Sequence, residues 1–263
     1  MHRIVNKITS LSLQREAEYA VLLPASYETS DLRYPILYLL HGLFGSYRNW
    51  CELTNIEELA RDSNLIIVMP DGKDGWYTDS ETTPANRYES FFIDDLLPEV
   101  ERLYRVIKAR EARAIAGLSM GGYGAFKFAV RYLHEFELAA SFSGAFDAPE
   151  RSDEAPGFDW DTLKPSILQA FGARDSLTRT RNDLYKLVQS LQIEEVRQLP
   201  YFYFDCGLSD GFIGANLRLK NLFDSVGVRS EFAGIEGGHD WDYWGSRLPG
   251  LFKLTVEHLA GPR

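Results

Sequence analysis

The run Pro35-Ile36-Leu37-Tyr38-Leu39-Leu40 is apolar at almost every position, without the alternation a strand shows when one face meets water. Such strands are covered on both faces and belong to parallel sheets flanked by helices. Similar short runs recur at 65–69, 112–116, 138–142, 201–204 and 230–233. Amphipathic helix patterns lie between most of them, at 55–62, 91–104, 122–132 and 216–225, with a last one near 250–259. This alternation predicts an α/β fold with a mostly parallel central sheet and helices on both faces. Ahead of it, 8–13 and 18–23 alternate polar and apolar side chains about Gln14-Arg15-Glu16, the pattern of an N-terminal antiparallel hairpin. The exception is 147–200, which has helical pieces such as 182–191 but no buried strand run. It is expected to be a cap-like insertion over one end of the sheet. The whole of 1–263 is expected to be one domain, since no Pro-, Gly- or Ser-rich stretch divides it.

With 45% hydrophobic and 25% charged residues, the chain can build a core without disulfide staples. Cys51 and Cys206 are too few for a cysteine-rich zinc site and are expected to be reduced. The net charge of −10 opposes adhesion to phosphate backbones or anionic lipid, so neither nucleic acid nor a membrane is expected as a partner. Residues 1–15 hold no apolar run of signal-peptide length, and no stretch is apolar for long enough to span a bilayer. A cytoplasmic location is the expectation from this, and assembly into a homo-oligomer stays open.

One motif carries chemistry. Gly117-Leu118-Ser119-Met120-Gly121 follows the apolar run 112–116 and precedes a helix pattern, the context in which G-x-S-x-G forms a nucleophile elbow. Outside that context it is only a Gly-rich turn that happens to contain serine. A phosphate-binding loop is excluded, because no Gly-Lys-Ser or Gly-Lys-Thr follows.

A serine hydroxyl needs an imidazole to take its proton, and the imidazole needs a carboxylate to hold it. Of the five histidines, His2 is terminal, His134 lies at a helix end, His258 falls in the last helix, and His41 opens a loop that suits a structural role. His239, in Glu236-Gly237-Gly238-His239-Asp240-Trp241 after the last strand run, is the candidate base. In the chain order Ser, acid, His, the loop after 201–204 offers Asp205 and Asp210. Asp210 is preferred because it stands further beyond the strand end, with Asp205 still open on position alone.

Charge developing on a carbonyl oxygen needs backbone N–H donors. Met120, after the serine, is one candidate, and Leu43 in His41-Gly42-Leu43-Phe44-Gly45 is the other. Phe44, Trp76, Phe212 and Trp241 stand beside these loops as candidates for an apolar substrate groove, with Tyr77 next to Trp76. The mechanism is complete without a cofactor, and no cluster of metal ligands is evident in the sequence, so neither is expected.

Ordered motifs then run along nearly the whole chain: HGLFGSYRNW, VMPDGKDGWYTD, AGLSMGGYGAFKFA, SFSGAF, CGLSD and GGHDWDYW. Together they resemble the putative-esterase family of α/β hydrolases, and most closely its tributyrin-esterase-like branch. The resemblance implies an α/β-hydrolase fold, Ser119 as nucleophile, Asp210 as acid, His239 as base, and Leu43 and Met120 as oxyanion donors. It also raises Asp210 above Asp205. The wider family includes feruloyl and acetylxylan esterases, S-formylglutathione hydrolases and mycolyltransferases, so the fold alone does not fix the substrate.

The expected activity is a serine carboxylesterase that cleaves small-molecule esters with short acyl or aryl groups. The alternatives are a feruloyl or acetyl esterase of plant-wall sugar esters, an S-formylglutathione hydrolase, and a non-catalytic binding module. Relatives in the S-formylglutathione branch usually carry histidine where Leu118 stands here, and a non-catalytic module would be free to lose its triad.

Overall fold

The computed structural model describes residues 2–61, 63–151 and 160–263. The end of the helix expected at 55–62, and the part of the expected insertion at 152–159, lie outside the described residues. Eight strands form one sheet: β1 (His2–Ser10), β2 (Arg15–Leu23), β3 (Ile36–Leu40), β4 (Ile66–Pro70), β5 (Arg113–Leu118), β6 (Leu138–Phe142), β7 (Tyr201–Gly207) and β8 (Ser230–Ile235). Their order is β1-β2-β4-β3-β5-β6-β7-β8. β1 and β2 form the antiparallel hairpin and β2 joins β4 antiparallel, while every pairing from β4 to β8 is parallel.

The apolar run 35–40 serves two cores at once. Ile36, Tyr38 and Leu40 face a cluster with Ile115, Phe126, Phe204 and Phe223, whereas Leu37 and Leu39 face Ile67, Ala116, Trp50 and Trp244. Successive side chains of a strand point to opposite faces, so burying both faces leaves no polar position. Each fully buried Leu or Ile contributes about 1.5–3 kcal/mol.

The helices are α1 (Asn49–Leu53), α2 (Ile56–Ala60), α3 (Tyr88–Ser90), α4 (Leu97–Leu103), α5 (Met120–Arg131), α6 (Trp160–Phe171), α7 (Leu177–Asn182), α8 (Leu184–Ser190), α9 (Ile193–Gln198), α10 (Ile213–Val226) and α11 (Trp241–His258). α5, α8 and α10 pack on one side of the sheet, and α1, α2 and α11 on the other.

Two helix expectations change. The pattern at 91–104 is divided, with a π-helical stretch Phe91–Leu96 ahead of α4. Pro98, near the start of α4, has no N–H to give to the preceding turn. The last helix starts at Trp241 rather than near 250, running through Pro249, because Tyr243, Trp244, Leu248 and Leu251 are all buried against the sheet. Between β6 and β7 the described residues hold helices and no strand. Cys51 and Cys206 are free. Among the described residues no helix is long and apolar enough to cross a membrane.

Candidate active site

β5 ends at Leu118 and α5 begins at Met120, so Ser119 is the single residue of the turn between them. Its backbone sits at φ +51° and ψ −116°, a strained conformation for a residue with a side chain. The surroundings enforce it. Ser119 N–H donates to Phe142 O at 2.9 Å, and its carbonyl accepts from Tyr123 N–H at 3.0 Å and Ala145 N–H at 3.1 Å. The flanking glycines are spatial requirements: a Cβ on Gly117 would lie 2.4 Å from Gly121 C, and one on Gly121 2.5 Å from Leu40 O.

His239 follows β8 through Gly237, whose φ of +146° turns the chain back over the sheet edge. Immediately after it, Asp240 caps α11 by accepting Tyr243 N–H at 2.9 Å. The imidazole is seated edge-on against Trp244, ring centroids 4.9 Å apart, with Phe212 at 5.1 Å. Its Nε2 lies 3.0 Å from Ser119 Oγ and its Nδ1 2.8 Å from Asp210 Oδ2. Nδ1–H donating to the carboxylate leaves Nε2 to accept the serine hydroxyl.

The two carboxylates left open by the sequence are separated by the end of β7. Asp205 is inside the strand, fully buried, and accepts hydrogen bonds from Tyr243 OH at 2.8 Å and Tyr203 OH at 3.0 Å. Burial pushes its carboxyl up to about 6 despite the two hydroxyls. Asp210 is beyond the strand, with Oδ1 accepting Phe212 N–H at 2.8 Å. Burial, the largest single influence, would raise it too, but the hydrogen bond and charge of His239, together with the Ser143 side chain and the hydrogen bond from Phe212 N–H, jointly outweigh burial and hold it below the ordinary carboxylate value.

The other histidines stand elsewhere. His41 is buried, with Nε2 accepting Gly72 N–H at 2.8 Å and Nδ1 2.7 Å from Gly42 O. His134 is exposed, and His258 stacks on Tyr201 with centroids 4.2 Å apart. The side chain of His2 is outside the described residues.

A cleft of about 630 Å³ opens over Ser119 and His239. All four aromatic candidates, Phe44, Trp76, Phe212 and Trp241, line it, as does Leu43. Tyr77 does not: it is buried, its hydroxyl donating to His41 O at 3.1 Å. Met120 is the first residue of α5, so its N–H has no intrahelical acceptor. Gly42 brings the other loop against the elbow, a Cβ there falling 3.5 Å from Ser119 Cβ and 2.6 Å from Leu118 Cδ1.

Several lining residues were not singled out from the sequence: Asn49, Leu118, Thr162, Leu163 and Trp244. Trp244 had a readable signal, since Asp240 as N-cap starts a helix that sets Trp241 and Trp244 three residues apart on one face. Thr162 and Leu163 had none, as nothing in the 147–200 pattern ties α6 to the strand ends.

Known proteins are similar to this chain. An esterase of Mycobacterium tuberculosis (strain CDC 1551 / Oshkosh) is 31% identical over 258 residues, covering 91% of this chain and 55% of that protein. The chain thus spans about half of that relative's length. An acetyl esterase of Caldicellulosiruptor saccharolyticus is 30% identical over 221 residues, 82% of this chain and 81% of that one. Among solved structures, a ferulic acid esterase matches with a TM-score of 0.82 at 28% identity, over 98% of each chain. The fold is the α/β-hydrolase fold. The model of the Putative esterase family matches residues 10–254, and the chain belongs to that family.

Proposed function

We propose that the chain is a serine carboxylesterase that hydrolyses small-molecule esters with short acyl or aryl groups through an acyl-enzyme on Ser119. The observation that carries this is the continuous link from Ser119 Oγ through His239 to Asp210, at 3.0 and 2.8 Å, on the floor of an aromatic cleft. His239 Nε2 takes the hydroxyl proton as Oγ attacks the ester carbonyl, and Asp210 stabilises the imidazolium that forms. The N–H groups of Leu43 and Met120 receive the negative charge on the tetrahedral oxygen. His239 then gives its proton to the departing alcohol, and the acyl group stays on Ser119. Water, activated by the same nitrogen, releases the acid.

Phe44, Trp76, Phe212 and Trp241 form the substrate walls in this reading, and the 147–200 segment acts as a cap through Thr162 and Leu163 on α6. An aromatic-acid or acetyl ester of a sugar is the second reading, favoured by the density of aromatic side chains about Ser119 and by the acetyl and ferulic acid esterases among the similar proteins.

The test is turnover of p-nitrophenyl acetate and butyrate together with fluorophosphonate labelling. Wild type turns both over and is labelled at Ser119, and Ser119→Ala loses both properties. An inert wild type, or undiminished turnover in Ser119→Ala, refutes the proposal. Methyl ferulate in the same panel separates the two readings by kcat/KM.

A further inference from the structure

Phe44 adopts φ +60°, in the left-handed region that residues with a side chain rarely occupy. Packing of its ring does not hold it there, because the residue is 66% exposed. A hydrogen bond does: Phe44 N–H donates to Asp74 Oδ1 at 2.7 Å. Asp74 lies thirty residues away in sequence, in the loop between β4 and α3, and is outside the cleft lining.

The same two loops are also joined through His41. Gly72 N–H donates to His41 Nε2 at 2.8 Å, and Tyr77 OH to His41 O at 3.1 Å. Since Nε2 accepts, the imidazole proton is on Nδ1, from which it is donated to Gly42 O at 2.7 Å. Gly45 N–H donates to the same oxygen at 3.2 Å. In a trans peptide the C=O and the following N–H point in opposite directions, so fixing Gly42 O also fixes the direction of Leu43 N–H. One side of Leu43 is therefore set through the Gly42 carbonyl, and the other through the Leu43–Phe44 peptide that Asp74 grips.

We propose that Asp74 is a positioning residue for the oxyanion hole: by holding the Phe44 N–H it keeps the strained loop in the one conformation that aims Leu43 N–H at the tetrahedral oxygen. This rests on the esterase reading, with Leu43 as donor. Asp74 itself touches no substrate. Its effect belongs to the transition state, where the charge on the oxygen develops, and not to ground-state binding.

The experiment measures kcat and KM for p-nitrophenyl acetate in wild type, Asp74→Ala, Asp74→Asn and Asp74→Glu. Active sites are counted by fluorophosphonate titration, and inhibition by a trifluoromethyl ketone, whose adduct places an oxyanion in the hole, is measured alongside. Asp74→Ala is expected to lower kcat per titrated site by about 10- to 100-fold, less than the full loss of a donor, with KM within about twofold. Ketone affinity falls by a similar factor. Asp74→Asn keeps an oxygen acceptor and stays within about threefold of wild type. Asp74→Glu retains the charge but moves the acceptor by one methylene, so kcat falls again while KM holds, which keeps the test decisive if the alanine variant does not fold. A purely structural role would lower the melting temperature and the titrated fraction but leave kcat per site unchanged, and that result, with an active wild type and an inert Ser119→Ala, overturns the role of Asp74 alone. An inert wild type overturns both this role and the esterase reading.

Discussion

The cleft is built by two regions that are held in place in different ways. Ser119, Asp210 and His239 stand on loops leaving β5, β7 and β8, where strand register and backbone contacts as close as Gly117 to Gly121 fix the chain. Thr162 and Leu163 reach the same space from α6, which is attached mostly through side chains: Ser166 Oγ accepts Trp76 Nε1–H at 3.0 Å, Ser80 Oγ donates to Gln169 O at 2.6 Å, and one backbone bond runs from Glu81 N–H to Ala170 O at 3.1 Å. Where a Cβ added to Gly117 would fall 2.4 Å from Gly121 C there is no room for another atom, whereas a side-chain contact can be exchanged for another. In the proposed esterase, the reacting groups therefore sit in the part of the fold that has least freedom to change, and the groups that select substrate sit partly where change is easy.

The sharpest way to break this contrast lies within the strand-end region. Asp205 and Asp210 are five residues apart, yet only Asp210 touches His239. Asp210→Asn should lower kcat by about 10⁴-fold with KM little changed, because the imidazole loses the acceptor that fixes its tautomer. Asp205→Asn should leave kcat within about tenfold of wild type, as its partners are Tyr203 and Tyr243. Steady-state kinetics of the two variants decide the matter, and equal losses would mean that position relative to the strand end does not separate chemistry from support.

The junction between the two regions is Lys127 on α5. Its ammonium group has no solvent exposure and donates to Tyr77 O at 2.6 Å, Thr78 Oγ1 and Glu89 Oε2 at 2.8 Å, and Asn182 Oδ1 on α7 at 3.3 Å. Burial pushes the Glu89 carboxyl up, but Lys127 and Arg131 outweigh it and hold it at about 2. Lys127→Met should cost about 3 kcal/mol in guanidinium denaturation, the low end for a broken buried pair, since Arg131 still faces Glu89. In wild type, the contribution of Glu89 is present above its ordinary pKa and is lost as pH falls toward 2. A cost under about 1 kcal/mol would show that the two regions are joined elsewhere.

Much of this was legible in the sequence because it follows from periodicity and from a motif in context. Continuous apolar runs marked strands β3 to β8 to within a few residues, and the strand before and helix after Ser119 turned a five-residue pattern into a candidate site. Gly245, Pro249 and Gly250 hid the start of α11, whose helix is maintained by packing of Tyr243, Trp244 and Leu248 rather than by local propensity. Asp74 and Phe44 are joined across two irregular loops, and no spacing rule connects residues that only the folded sheet brings together.

Buried charge gives a smaller effect with a defined sign. The Asp205 carboxyl is raised to about 6, so the folded state binds a proton more readily than the unfolded chain. Its contribution is therefore fully present at low pH and is lost as pH rises from the ordinary aspartate value through about 6. Asp205→Asn has no such dependence, and its stability relative to wild type should rise by about 2 kcal/mol between pH 4 and pH 7. Parallel denaturation curves at the two pH values check this. A constant difference would mean that Tyr203 and Tyr243 fully compensate the buried charge.

The smallest effect tests the other side of the contrast. Leu163 is buried at the cleft wall on α6, distant in sequence from every strand end that carries a reacting group. Truncating it to alanine widens the pocket without touching the Ser119, His239 and Asp210 link, so kcat for p-nitrophenyl acetate should stay within about twofold of wild type. The ratio of kcat/KM for butyrate or methyl ferulate to that for acetate should shift by about three- to tenfold, the scale of one or two methylenes in an apolar pocket. The direction follows from size, with the enlarged wall favouring the bulkier acyl group. If acetate and the larger esters change together, α6 supports the catalytic loops rather than the substrate, and the division between a fixed chemical half and an exchangeable selective half does not hold.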